Sequence, residues 1–175
     1  MEYQKSISKS AKKVTIPSTI IIQGKKYRVT SIGNRAFSGN KHLRKVVMGK
    51  NIKSIGNKAF YGCQKIRTVE IGRNVTVIKK DAFRKCSSLR LVIISESVKR
   101  IGDNAFRDCK MLQYIGVETN RLQLKNVGKH AFAGGHRNPR VKTAKKVWRK
   151  YSDIFVLRGL SDRGIFVIDP VNLVI

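Results

Sequence analysis

The chain has 175 residues and carries 38 Lys plus Arg against 10 Asp plus Glu, a formal net charge of +28. An apolar fraction of 41% is too rich for a disordered basic tail, and the length suits one compact domain. Ten acids can neutralise at most ten of the bases, so the remaining charge must face water or an anionic partner.

Composition sets further bounds. No run approaches the roughly 18 to 20 apolar residues that a bilayer crossing requires; stretches such as 20–22 and 91–94 are far shorter, so no membrane span is expected. The opening residues Met1-Glu2-Tyr3-Gln4-Lys5-Ser6 lack an apolar leader core, so no secretory signal is read there. That leaves open whether Met1 is a native start or stands in place of a cleaved leader. Three Cys residues with no Cys-x-x-Cys pair indicate neither a zinc ribbon nor a closed disulfide framework.

Their spacing is informative in another way. Cys63, Cys86 and Cys109 recur with a 23-residue period, as do Phe60, Phe83 and Phe106, with Phe37 one period earlier. A fixed period of this size is the signature of a solenoid. Taken along the chain, the copies are Ser31-Ile32-Gly33-Asn34-Arg35-Ala36-Phe37, Ser54-Ile55-Gly56-Asn57-Lys58-Ala59-Phe60, Val77-Ile78-Lys79-Lys80-Asp81-Ala82-Phe83 and Arg100-Ile101-Gly102-Asp103-Asn104-Ala105-Phe106. A fifth, Val127-Gly128-Lys129-His130-Ala131-Phe132, arrives three residues late, which places an insertion near residues 121–126.

Between these turns run Leu43-x-x-Val46-x-Met48, Ile66-x-x-Val69-x-Ile71, Leu89-x-x-Val92-x-Ile94 and Leu112-x-x-Ile115-x-Val117. Apolar residues two apart share one face of an extended strand, so each repeat supplies one short strand. Ile52, Val75 and Val98 mark a second inward position, and one repeat becomes one coil. Burial within a single coil falls short of the chain entropy lost in ordering it, so stability must come from stacking coil on coil.

The units Leu-x-x-Val-x-Ile and Ile-Gly-x-x-Ala-Phe-x-x-Cys resemble the BspA-like leucine-rich repeats over residues 14–141. The resemblance implies a leucine-rich repeat solenoid of 23-residue coils, with one parallel strand per coil forming a sheet on one face. It also implies that Val14-Thr15-Ile16-Pro17 and Gly24-Lys25-Lys26-Tyr27-Arg28-Val29 form an opening hairpin, and that 142–159 form a C-terminal cap. The expected division is 1–30 as an N-terminal extension and hairpin, 31–141 as about five coils, and 142–175 as a helix and strand cap, all in one structural domain. Members of the family are mostly secreted or surface-anchored bacterial proteins, or relatives in eukaryotic parasites, implicated in adhesion and protein binding. An extracellular or cell-surface location follows from that resemblance.

Beyond Thr143 the pattern changes to Val147, Tyr151, Ile154 and Phe155, the apolar stripe of an amphipathic helix. Thr143 is its expected N-cap and Gly159 its stop. Basic residues and Trp148 on such a helix also suit a membrane surface or a calmodulin-type partner. Capping of the last coil is the preferred reading, because an open solenoid end exposes core. Residues 165–168 read as a terminal strand.

Catalytic signals are absent from the sequence pattern. No Ser/His/Asp order, paired carboxylates or glycine-rich phosphate loop emerges, and His130 and His136 lack metal-ligand spacing, as does the isolated His42. Neither enzymatic activity nor a cofactor or metal is expected. The cysteines read as buried free thiols, with a metal or redox role as the alternative.

Strand positions that point outward offer a binding surface instead. The first column reads Arg44, Arg67, Arg90, Gln113; the second Lys45, Thr68, Leu91, Tyr114; the third Val47, Glu70, Ile93, Gly116. Arg side chains roughly 5 Å apart in water repel by about 0.8 kcal/mol per pair, a cost the fold tolerates and an anionic surface would reverse. Arg44, Lys45, Arg67, Arg90, Leu91 and Tyr114 are therefore the candidate ligand-binding residues, for an acidic protein or anionic glycan. The chain is expected to be a monomer. Two alternatives stand beside this reading: a nucleic-acid or other polyanion binder drawn by charge alone, and a structural spacer within a larger surface protein.

Overall fold

The structure, a computed structural model, describes residues 2–3, 11–137, 139–143 and 156. Strands follow in the order β1 (Glu2–Tyr3), β2 (Lys13–Ile16), β3 (Thr19–Ile22), β4 (Lys25–Arg28), β5 (Ser31–Ile32), β6 (Lys45–Met48) and β7 (Ser54–Ile55). They continue with β8 (Thr68–Glu70), β9 (Val77–Ile78), β10 (Leu91–Ile94), β11 (Arg100–Ile101), β12 (Tyr114–Val117) and β13 (Arg140–Thr143). The repeat becomes a β-solenoid, and its first four coils carry two strands each rather than the one expected. The longer strand is the Leu-x-x-Val-x-Ile segment; the second is the two-residue Ser-Ile or Val-Ile step that precedes each turn.

The short steps form one continuous parallel sheet, β1-β5-β7-β9-β11. Its register is set by Ser31 on Ser54, Ser54 on Val77 and Val77 on Arg100, one full period at each step. The long strands form β8-β10-β12-β13 and, apart from it, β2-β6. Coils are numbered by these pairs: coil 1 carries β2 and β5, coil 2 β6 and β7, coil 3 β8 and β9, coil 4 β10 and β11, and coils 5 and 6 carry β12 and β13.

Two insertions into the 23-residue period occur at the same corner, between the long and the short strand. Val14 pairs with Val46, a 32-residue step, so coil 1 carries nine extra residues. They are taken up by the antiparallel hairpin β3–β4, closed by Gln23 and Gly24 at φ 49° and 74°, the left-handed pair that a two-residue hairpin turn requires. The expected hairpin was placed too early: Val14 and Ile16 belong to a buried coil strand, and the hairpin projects from the corner with Ile21 74% exposed. The second departure is the bridge of Ile101 to Val127, a 26-residue step, with a 3₁₀ turn at Leu124–Asn126 where the insertion was expected.

At the other end β13 adds a further long strand, with Val141 fully buried against Ile115 in the register of the array. Thr143, expected to begin a helix, closes this strand. Val156 is helical and exposed, whereas the remainder of the expected C-terminal helix and the strand at 165–168 lie outside the described residues.

Inside, each side chain stacks on its copy in the next coil. Phe37, Phe60, Phe83, Phe106 and Phe132 form a column with ring centroids 5.0 to 5.3 Å apart and planes within 7° of parallel. That spacing is the strand-to-strand distance, so the backbone ladder dictates the ring stack. The turn is equally tight: a Cβ at Gly56 would stand 2.6 Å from the Ile32 carbonyl oxygen of the preceding coil.

Cys63, Cys86 and Cys109 form a second buried column as free thiols. Each Sγ–H donates to the carbonyl of the Phe one coil back: Cys63 to Phe37 at 3.0 Å, Cys86 to Phe60 at 3.1 Å and Cys109 to Phe83 at 3.2 Å. Asn40 occupies the same repeat position in coil 1, and its Oδ1 accepts from the His42 and Leu43 amides instead. Burial pushes the Cys63 thiol up to about 12, partly offset by a backbone hydrogen bond from Asn40. Burial raises Cys86 and Cys109 as well.

Phe83 has ring neighbours on both sides, so Phe83→Ala is expected to cost about 3–5 kcal/mol in urea unfolding, and Phe37→Ala, at the column's end, less. The thiols add a pH dependence. Their folded pKa values are raised, so their contribution is complete below the ordinary thiol pKa near 8.5 and is lost as pH rises toward the folded value. The urea midpoint is expected to fall between pH 8 and pH 11 by more in the wild type than in Cys86→Ala.

Candidate functional site

The long strands carry Lys45, Thr68, Leu91 and Tyr114 outward because the next side chains, Val46, Val69, Val92 and Ile115, are buried. Arg44, Arg67 and Arg90 stand just ahead of β6, β8 and β10 and are exposed, with Gln113 half-buried in the next coil. Lys45, Thr68, Leu91 and Tyr114 follow as the second column, with Leu91 in register opposite both Thr68 and Tyr114. All six candidate side chains thus lie on one face.

The structure adds members to that face which the sequence reading missed. Lys13 pairs with Lys45, and Arg140 pairs with Tyr114, extending the second column at both ends. The Arg140 guanidinium lies 5.6 Å from the Tyr114 ring centroid, a cation–π distance. The signal was present in Val14-x-Ile16 and in Val141-x-Thr143, which repeat the alternation without the leading Leu.

Between coils 2 and 3 this face is interrupted. In the other adjacent pairs the same backbone bond recurs: Arg44 N–H to Lys12 C=O at 2.8 Å, Arg90 to Arg67 at 2.8 Å, Gln113 to Arg90 at 3.0 Å and Arg140 to Gln113 at 2.6 Å. No corresponding bond joins Arg67 N–H to Arg44 C=O among the described residues, and β6 and β8 belong to separate sheets. A cleft of about 620 Å³ lies there, lined by Arg44, Lys45, Val47, Arg67, Glu70 and Arg73 among others. Val46 is 8% exposed at its wall, against 1% for Val69 and 0% for Val92.

Coils 2 and 3 stay joined everywhere else. Ile55 pairs with Ile78, Phe60 N–H reaches Ala82 C=O at 2.8 Å, and the Phe60 and Phe83 rings are 5.0 Å apart. The opening is therefore a wedge confined to the long-strand face.

Elsewhere part of the charge is paired. A second recess of about 690 Å³ lies along the turns at Arg35, Lys58, Lys80 and Arg84, but Arg84 is engaged by Asp81 at 3.4 Å and Asp108 at 3.5 Å. Among the described residues the remaining ion pair is Arg107 with Asp108 at 3.9 Å. No group of three or more His, Cys, Asp and Glu gathers as a metal site among the described residues. No described helix is long and apolar enough to cross a membrane.

Comparison with known proteins agrees with this architecture. The family model described as the BspA type leucine rich repeat region matches residues 5–138 in six copies. The crystal structure of a leucine-rich repeat protein from T. pallidum is similar at 29% identity and a TM-score of 0.66, covering 78% of this chain and 60% of that one. The chain thus spans about three fifths of that protein's length. A leucine-rich repeat protein from Bacteroides capillosus shares 25% identity at a TM-score of 0.54, over 62% of this chain and 78% of its own. The pneumococcal vaccine antigen PcpA, 20% identical at a TM-score of 0.57 over 80% of this chain and 42% of its own, shares the fold. No curated protein sequence is similar enough to be set beside the chain.

Proposed function

The chain belongs to the BspA-type leucine-rich repeat family, and we propose that it is a non-enzymatic binding module whose basic long-strand face receives an anionic macromolecule at a bacterial cell surface. Families of this kind supply repeat scaffolds for binding, in which the buried positions are fixed and the outward ones are free to vary. The observation that carries the reading is the alignment of Arg44, Arg67 and Arg90 one coil apart on that face, with Lys45 beside them and no acidic side chain in either column. Arg67 and Arg90 stand at strand spacing with Arg44 across the cleft, and such a row of guanidinium groups suits carboxylates or sulfates, each of which can take a bidentate contact. Leu91 and Tyr114 supply apolar contact beside that row, and Tyr114 is held by Arg140.

Charge alone would attract any polyanion, so the test must separate an address from a coat. The triple variant Arg44→Glu, Arg67→Glu, Arg90→Glu is compared with Lys53→Glu, Lys99→Glu, Lys129→Glu, which changes the charge equally at exposed positions off the long strands. Titrated against heparin and an acidic protein at two salt concentrations, the first is expected to lose more than tenfold in affinity and the second less than threefold. Equal losses, scaling only with salt, would establish non-specific polyanion attraction instead.

A further inference from the structure

We infer that the wedge between β6 and β8 is the specificity-determining subsite of this face, and that its occupant is an extended acidic peptide segment of a partner protein. This rests on the reading that the long-strand face binds anions, and adds where and what. The wedge is the one adjacent pair of long strands without a connecting ladder among the described residues, since the Arg67 amide does not reach the Arg44 carbonyl. One wall accordingly presents an amide donor and the other a carbonyl acceptor. Either is available to an extended peptide laid along the mouth of the cleft, as sheet edges take up extended peptides through such bonds.

The side chains select further. Arg44, Lys45, Arg67 and Arg73 surround the cleft against the single carboxylate of Glu70, so the net local charge favours an anion. Val47 is 37% exposed there, and Met48 is half-buried where its counterparts Ile71 and Ile94 are buried. An apolar contact surface alternating with cations matches a strand whose side chains alternate between carboxylate and aliphatic. A second copy of this chain is a poor occupant because it brings the same +28 charge. A sulfated glycan would satisfy the cations and leave Val47 and the backbone amides unused.

The test uses the full chain and a fluorescein-labelled ten-residue peptide alternating glutamate with valine, with a heparin hexasaccharide in parallel. Anisotropy titrations are expected to show peptide binding weakened at least tenfold by Arg44→Glu or Arg67→Glu, which line the wedge, and by a smaller factor, about threefold, by Arg90→Glu, which stands on the same face outside it. In amide hydrogen exchange, Arg67 is expected to exchange fast in the free protein and to become protected with peptide, while Arg90 and Gln113 are protected in both. An Arg90→Glu loss as large as that of Arg67→Glu, or unchanged exchange at Arg67, overturns the wedge while leaving the basic face intact. Tight hexasaccharide binding without peptide binding overturns the peptide as occupant. If none of the three reversals affects either probe, the basic-face reading itself fails along with the wedge.

Discussion

Every feature of this molecule depends on the register of one coil upon the next. Backbone N–H and C=O groups bond to the coil one period away, and that spacing places Ser54 on Ser31 and Val77 on Ser54 without slippage. Side chains then inherit the register: the Phe rings stack at the ladder's own spacing, and each thiol donates to the carbonyl one coil back. A solenoid is stabilised by such nearest-neighbour interfaces, each coil completing the burial that its predecessor leaves open. The exposed columns are the other side of the same constraint. An Arg at one position of the repeat recurs at the same position in the next coil because the buried residues on either side, Leu43 and Val46, Ile66 and Val69, Leu89 and Val92, are held in the core one period apart.

The repeat itself was legible because it is written in residues with one role each. Phe, Cys and the Leu-x-x-Val-x-Ile pattern give the period, the inward face and the outward columns, including Arg44, Arg67 and Arg90. What was not legible is local and concerns the backbone. The two-residue ladder of Ser31–Ile32 and its copies is too short for alternation to reveal it; only the contact between coils makes it a strand. The hairpin was displaced because Val14-x-Ile16 and the Ile20 to Ile22 triplet are both strand-like, and nothing within 14–22 says that the first pairs with the distant Val46 segment. The wedge left almost no mark in the sequence, since coils 2 and 3 match their neighbours at the core positions apart from Met48, where the next coils have Ile71 and Ile94.

That contrast bears on function. The repeated pattern creates a surface of regular columns, and regularity by itself distinguishes poorly between anionic partners. Departures from the repeat supply individuality: nine-residue and three-residue insertions at one corner, the first forming the hairpin, and an opened pair of strands on the basic face. The high net charge, which at first suggests nucleic acid, is then resolved into parts. Arg84 and Arg107 are engaged with Asp81 and Asp108, many Lys residues form a solvated coat, and the Arg column occupies a defined place beside apolar Leu91 and Tyr114.

The dependence on register can be measured by removing a coil. Deleting 80–102 takes out one whole period and joins Lys79 to Asp103, restoring the repeat with one coil fewer; deleting 80–99 stops short of a period and breaks it. The first variant is expected to unfold cooperatively, with an unchanged circular dichroism band shape and a lower urea midpoint, while the second loses cooperative unfolding. Equal behaviour of the two deletions would contradict the claim that coil-to-coil register specifies the fold.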